Sequence, residues 1–154
     1  MSSLNFSLDD LPDYSEFTNL YDTYRLNAVK ITFLPQMTES ISLSSLNNPN
    51  ASVRFFSVID YNDGNPPGSI DELRQYQNCK FTPVLRKHSR YIYRPKIQDR
   101  GQTYTPGRPW INTTSPDQDH FGLKIGIEPI QSTNVQSMSY TVEAKYYLSF
   151  RAVK

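Results

Sequence analysis

The amino-acid sequence predicts an all-β domain of two packed antiparallel sheets, a sandwich or jelly roll, with short helices in its connections. Three observations predict it. From Tyr140 to Lys154 the chain alternates, with Tyr140, Val142, Ala144, Tyr146, Leu148, Phe150 and Ala152 on one parity and Thr141, Glu143, Lys145, Ser149 and Arg151 on the other. Period-two alternation of that length puts one side of a strand in a core. The chain holds 11 Tyr, 8 Phe and 11 Pro in 154 residues, a composition of strands and the turns between them. Long connections rich in Asn, Ser, Pro, Gly and Gln (36–52, 62–68, 98–119 and 131–139) divide the apolar stretches, and loops of that length in a compact domain tend to carry function.

The elements follow in order. A short strand is expected near Asn5–Leu8. Around Tyr14–Tyr24, Phe17, Leu20, Tyr21 and Tyr24 recur at helical spacing, with Asp13 or Ser15 as cap. Arg25–Leu34 sends Val29, Ile31 and Phe33 to one side. VRFFSVIDY (53–61) is apolar at nearly every position and reads as a central strand. SIDELRQYQ opens on an S-x-x-E capping box, Ser69 and Glu72, with Ile70, Leu73 and Tyr76 on its inner side. A short strand follows at Lys80–Leu85, the parity of 85–97 implies another, and Leu123–Ile130 alternates again. The length suits a single domain, residues 1–154.

The formal net charge is +1, but its distribution is uneven. Residues 1–79 carry four Lys/Arg against ten Asp/Glu, residues 80–108 eight against Asp99 alone, and residues 109–154 four of each. A basic block in an otherwise acidic chain suggests a polyanion partner or an acidic surface on another copy. The block centres on LRKHSRYIYRPKI (85–97). Even positions give Arg86, His88, Arg90, Ile92, Arg94 and Lys96; odd positions include Leu85, Tyr91, Tyr93 and Ile97. On this reading the even face meets phosphates or a neighbour's carboxylates, and Tyr91 and Tyr93 pack inward. Arg108 and Trp110, in TPGRPW, add a candidate stacking pair for an unpaired base.

Little else carries chemistry. Asp117, Asp119 and His120 in DQDH read as a polar turn before a strand rather than a metal site, and Cys79 lacks a nucleophile's setting. The two histidines lie too far apart for the H-x-H pair of a cupin. No glycine-rich phosphate loop and no G-x-S-x-G is present, so neither an enzyme nor a cofactor is expected. No apolar run approaches the roughly 20 residues that span a bilayer. MSSLNFSLDD lacks the features of a signal peptide.

Five stretches together resemble the capsid proteins of circovirus-like viruses, which have circular single-stranded DNA genomes. They are LPDYSEFTNLYDTYRLNAVKITFLPQ (11–36), VIDYND (58–63), KFTPVLRKHSRYIYRPKI (80–97), PWINTTSPDQDHFGLKIGI (109–127) and YYLSFRAVK (146–154). The resemblance implies an eight-stranded jelly roll, with strands near Asn5 and over 24–36, 53–61, 80–85, 88–97, 107–113, 121–130 and 140–153. It implies self-assembly of 60 copies into a small T=1 icosahedral shell around the DNA. It also implies location in the virion, passage through the host nucleus and a sulfated glycosaminoglycan as receptor. A carbohydrate-binding jelly-roll module is the alternative function. Members of the family carry an arginine-rich, DNA-binding arm before the first strand; here the first arginine is Arg25. The Arg/Lys face of 86–96 is therefore the expected place for DNA contact.

Overall fold

The computed structural model describes residues 1–36, 53–97, 109–129 and 139–154. Among them the strands are β1 (Ser2–Phe6), β2 (Tyr21–Pro35), β3 (Arg54–Ile59), β4 (Lys80–Pro83), β5 (His88–Tyr93), β6 (Lys96–Ile97), β7 (Ile111–Asn112), β8 (His120–Ile127) and β9 (Tyr140–Val153). Helix α1 (Tyr14–Leu20) precedes β2, and α2 (Ile70–Gln75) lies between β3 and β4. One sheet runs β1-β8-β3-β4, with β6 also paired to β8. In the other, β9 pairs along the whole of β2, while β5 and β7 share the opposite edge of β2. The antiparallel pairs are nested: β3–β4 lies inside β2–β5, and β2–β5 inside β1–β8. A long hairpin wound into two sheets gives this jelly-roll order.

The core lies between the sheets. Leu26, Val29, Ile31 and Phe33 of β2 meet Phe55 of β3, Ile92 of β5 and Leu123 of β8 there. Leu26 and Val29 have opposite parity, so one extra residue is needed for both to face inward. The register of β2 against β9 slips between Leu26 and Ala28, leaving Asn27 as the bulge. Asn27 Nδ2 is held by Ser149 Oγ at 2.6 Å.

Helix α2 closes the far side of the first sheet, with Leu73 packed on Phe56 and Val58. Ser69 Oγ caps it by accepting from Glu72 N, and the Glu72 carboxylate accepts from Gly68 N at 2.7 Å. The helix lies so close to β8 that a Cβ on Gly126 would meet Leu73 Cδ1 at 2.8 Å and Ile70 Cδ1 at 2.9 Å. Under the same cover sits Lys124, only 2% exposed, its Nζ 2.8 Å from Asp60 Oδ2 and 2.9 Å from Asp63 Oδ1. Burial alone pushes the Asp60 carboxyl up, but hydrogen bonds from Lys124, Asn62 N and Tyr76 Oη outweigh it and hold it low. The same two carboxylates hold the Lys124 ammonium above its ordinary range against the pull of burial. A buried cation is tolerated when paired and hydrogen-bonded in this way.

Several sequence expectations are altered. The helix expected over Tyr14–Tyr24 ends at Leu20, and Tyr21 and Tyr24 belong to β2. Tertiary pairing with β9 overrides the helical spacing there. The strand expected over 88–97 divides between the sheets: β5 pairs with β2 and β6 with β8. Arg94, at φ 55°, makes the break just before Pro95. Of the strand expected over 107–113, Ile111–Asn112 is paired; 107 and 108 lie outside the described residues. Lys124, on the polar side of the alternation in Leu123–Ile130, is buried. No helix among the described residues is long and apolar enough to cross a membrane.

The two histidines are both buried in the interior. His88 is 1% exposed, with Nε2 2.5 Å from Ser57 Oγ and Nδ1 2.8 Å from Thr82 Oγ1. Burial, reinforced by Lys80 and Arg90, lowers its pKa to about 4. His120 is lowered by burial as well. The unfolded chain therefore takes up these protons first, at a pKa of about 6.5, so stability is complete above that pH and is lost as the pH falls toward 4. His88 accounts for a loss on the order of 3 kcal/mol across that window. Urea midpoints measured from pH 7 to pH 4.5 are expected to fall steadily, and His88→Asn is expected to flatten the profile.

Candidate nucleic-acid interface

Of the seven residues expected to bind, the six among the described residues do not form one face. Arg86 lies in the turn between β4 and β5. His88 is buried against Ser57 and Thr82. Ile92 is in the core. Arg90 points inward opposite Ile31, half-buried, and donates to Asn78 O at 3.0 Å. Lys96 belongs to the other sheet, its Nζ 6.0 Å from the Tyr61 ring centroid. Arg108 lies outside the described residues. The parity is the reverse of the expectation: the even side of β5 faces in, while Tyr91 and Tyr93 are 50% and 52% exposed. Ile92 decides the direction, because an aliphatic side chain loses more by exposure than a tyrosine, whose hydroxyl is content in water.

A different cationic face results. The outer side of the β5-β2-β9 sheet can be read row by row from the register. Lys30 of β2 lies between Tyr91 of β5 and Lys145 of β9. The next row places Ala28 between Tyr93 and Tyr147. Beyond it Arg25 lies opposite Ser149, and Thr23 lies between Asn112 and Arg151. On the other side, Thr32 lies between Ser89 and Glu143. Arg94 closes the β5 end with its guanidinium 4.8 Å over the Tyr93 ring.

Aromatic rings hold these cations in place. Tyr91 and Tyr147 meet edge to face, with centroids 5.8 Å apart, and cover Ala28 and its surroundings. Lys145 Nζ is 5.6 Å over Tyr147. Trp110 carries two guanidinium groups, Arg25 at 4.4 Å and Arg151 at 5.9 Å. Arg25 Nε is buried without a hydrogen-bond partner. Among the described residues, Arg25, Lys30, Arg94, Lys145 and Arg151 thus share the face with one carboxylate, Glu143. Fixed cations beside exposed aromatic rings can take phosphates and stack unpaired bases without choosing among them. Two of the expected residues, Arg94 and Trp110, fall on this face. Of the others here, Lys145, Tyr147 and Arg151 were legible as outward positions of β9 and Lys30 as one of β2, while Tyr91 and Tyr93 depended on the orientation of β5.

The other chemistry is occupied internally. His120 Nδ1 lies 3.0 Å from Gln118 O and 3.2 Å from Phe6 O, so the imidazole of DQDH is engaged by backbone carbonyls. Cys79 is half-buried, and burial pushes its thiol pKa up, away from that of a nucleophile.

The model of the circovirus capsid protein family matches residues 1–154. The chain belongs to that family. The family match does not favour the carbohydrate-module alternative. The fold agrees with solved capsid structures. The BFDV capsid protein crystallised as a 60-mer is 18% identical, with a TM-score of 0.66 over 97% of this chain and 80% of that one. Its decameric form is 19% identical, with a TM-score of 0.61 over 97% and 82%. The capsid protein of Penaeus vannamei nodavirus, in a T=1 subviral particle, is 9% identical, with a TM-score of 0.60 over 100% and 83%. No curated protein matches the sequence. The role of this family member is structural: it is a capsid protein with the viral jelly-roll fold.

The inverted β5 predicts an asymmetry in stability. Ile92→Ala is expected to cost about 3 kcal/mol, as a core truncation does. Tyr93→Ala is expected to cost less than about 1 kcal/mol. Urea unfolding of the two variants checks this, and the opposite ranking would restore the even-face reading.

Proposed function

We propose that this capsid protein assembles into a T=1 shell of 60 copies around circular single-stranded DNA, and that the outer face of the β5-β2-β9 sheet lies against the DNA. The observation that carries the second part is the gathering of Arg25, Lys30, Arg94, Lys145 and Arg151 with Tyr91, Tyr93, Tyr147 and Trp110 on one sheet face, against Glu143 alone among the described residues. The 60-mer of the BFDV protein supports the first part through the shared family and fold. Virion residence follows from the capsid role. Passage through the host nucleus and binding of a sulfated glycosaminoglycan receptor rest on the family resemblance and belong to the proposal.

Each part has its own test. Size-exclusion chromatography with electron microscopy is expected to reveal closed shells; a chain that stays monomeric at high concentration across salt and pH overturns assembly. Binding to single-stranded DNA is expected to weaken with salt at a slope of log K against log salt near −3.5, for about five phosphate contacts. Lys30→Glu with Arg94→Glu is expected to flatten that slope by about 1.4, whereas Arg86→Glu leaves it unchanged. Equal slopes for the double variant and the parent chain would remove the face from the reading.

A further inference from the structure

Two guanidinium groups lie on one indole where β7 meets the outer face. Arg25 of β2 lies opposite Ser149 of β9, and Arg151 of β9 lies opposite Thr23, one row on. Thr23 is short and donates its hydroxyl to Arg151 O at 3.3 Å, so both arginines have room to reach the Trp110 ring, at 4.4 and 5.9 Å. The ring is fixed by its surroundings. Trp110 runs directly into β7, which pairs with β2. Buried Thr113 fastens the segment again, its N donating to Asp22 O at 2.9 Å and its Oγ1 to Tyr21 O at 2.8 Å. The pair of arginines is costly as it stands. Arg25 Nε is buried with no hydrogen-bond partner, which is unfavourable for a donor. Among the described residues neither guanidinium has an ion pair. Glu143 lies toward the other end of the strand pair, across from Thr32. Two like charges at one ring repel unless an anion sits between them.

We propose that Arg25 and Arg151 form a discrete site for one phosphate group of a single strand, and that Trp110 is a positioning residue there rather than a platform for a base. A guanidinium presents its donors in a planar fork that matches phosphate oxygens. An indole against that fork keeps it from turning, which lowers the ordering cost when the phosphate arrives. With two guanidinium groups against it, the indole serves them before it can serve a base. The site deepens the reading of this face as one that meets DNA, and rests on that reading for the identity of its ligand. It gives each subunit one fixed contact on the strand, selected by charge and shape and not by base. Two of the five cations then share a phosphate, which moves the expected slope of log K against log salt from about −3.5 to about −2.8.

Trp110 is the only tryptophan of the chain, so its fluorescence reports on this site. The folded full chain is titrated with a thymidine oligonucleotide and with an abasic deoxyribose-phosphate oligomer of equal length. Both are expected to shift the fluorescence, with midpoints within about threefold of each other, since both carry the phosphates. A response to the thymidine strand alone shows base stacking and overturns the site, as does silence toward both. Strands with and without a 5′-phosphate separate the two sources: equal midpoints assign an internal phosphate, a response confined to the 5′-phosphorylated strand a terminal one, and both support the site. A sulfated oligosaccharide that acts at a lower charge concentration than either oligomer overturns phosphate as the ligand. By anisotropy of a labelled strand, Arg25→Gln and Arg151→Gln are each expected to weaken binding about tenfold. R25Q/R151Q is expected to do about the same, well short of the roughly hundredfold loss of independent contacts. Trp110→Phe is expected to keep binding within about threefold and Trp110→Ala to lose about tenfold, with no further loss on adding Arg25→Gln. Circular dichroism verifies that each variant is folded. Additive losses, or full binding by Trp110→Ala, overturn the shared site. An unchanged salt slope in Lys30→Glu with Arg94→Glu, beside a Trp110 that still responds to the abasic oligomer, removes the DNA face and leaves the phosphate site. A flattened slope beside a silent Trp110 does the reverse.

Discussion

The register of β2 is the constraint on which the second sheet depends. The strand is paired on both sides for most of its length, so the direction of each of its side chains also sets those of its neighbours on β5 and β9. A shift of one residue would exchange the two faces along all three strands. The bulge at Asn27 is what lets Tyr24 and Leu26 face inward together with Val29, Ile31 and Phe33. Without it, one half of the strand would bury its polar side. The bulge also sets the outer face: Lys30 comes to it, with Ala28 buried on the same side, and the partners of Lys30, Tyr91 and Lys145, come with it. The cationic face is thus a by-product of how the core is filled. A change that disturbs Val29 or Ile31 would disturb the face without touching any of its charges.

The ion pairs of the first sheet explain why segment charge is a poor guide to surface charge. The N-terminal half is formally acidic, yet Asp60 and Asp63 are engaged by buried Lys124 within the same chain. Glu128 is likewise engaged by Arg54 at 2.7 Å and Arg74 at 2.8 Å. Carboxylates committed inside the fold are not available to attract the basic strip of a neighbour. Broken pairs of this kind are costly when buried, so the Lys124 cluster also fixes the 60–63 turn against β8 and carries α2 with it. Its carboxylates lie on the far side of the sandwich core from the outer face of the β5-β2-β9 sheet, which therefore keeps its positive sign.

Much of the fold was legible in the sequence, for a physical reason. Long alternations such as 140–153 and the apolar run 53–61 report burial directly, and the Ser69 capping box reports a helix start through a local hydrogen bond. Elements whose form depends on distant partners were not legible. Tyr21 and Tyr24 fit a helix until β9 supplies a strand to pair with. The break at Arg94 serves two sheets at once. The site was less legible than the fold. In LRKHSRYIYRPKI, charge and aromaticity pulled the parity one way, whereas Ile92 and the buried His88 pulled it the other. Counting cations favoured the wrong face because a tyrosine serves equally well inside or outside, and a single isoleucine outweighed two of them. Lys30 gave no signal of its own, since one lysine in an otherwise apolar strand is unremarkable until its neighbours are known.

The chemistry of the cationic face limits the kind of recognition it can perform. Sequence is read by hydrogen bonds to base edges, whereas phosphates and ring faces are common to every nucleotide. The side chains gathered here are lysines, arginines, tyrosines and a tryptophan on the broad surface of a sheet, with the two arginines nearest Trp110 already stacked on its ring. A flat sheet also lacks the projecting helix that enters a groove. Such a surface distinguishes a charged, unpaired strand from a duplex by stacking, and otherwise distinguishes little. On the proposed reading many copies each meet a different stretch of one genome, and such chemistry would suit them: specificity for any one sequence would strengthen a few contacts and weaken the rest. On that reading the one carboxylate among the face's described residues and the sequence-neutral chemistry would serve one requirement, an even and moderate attraction repeated at every subunit.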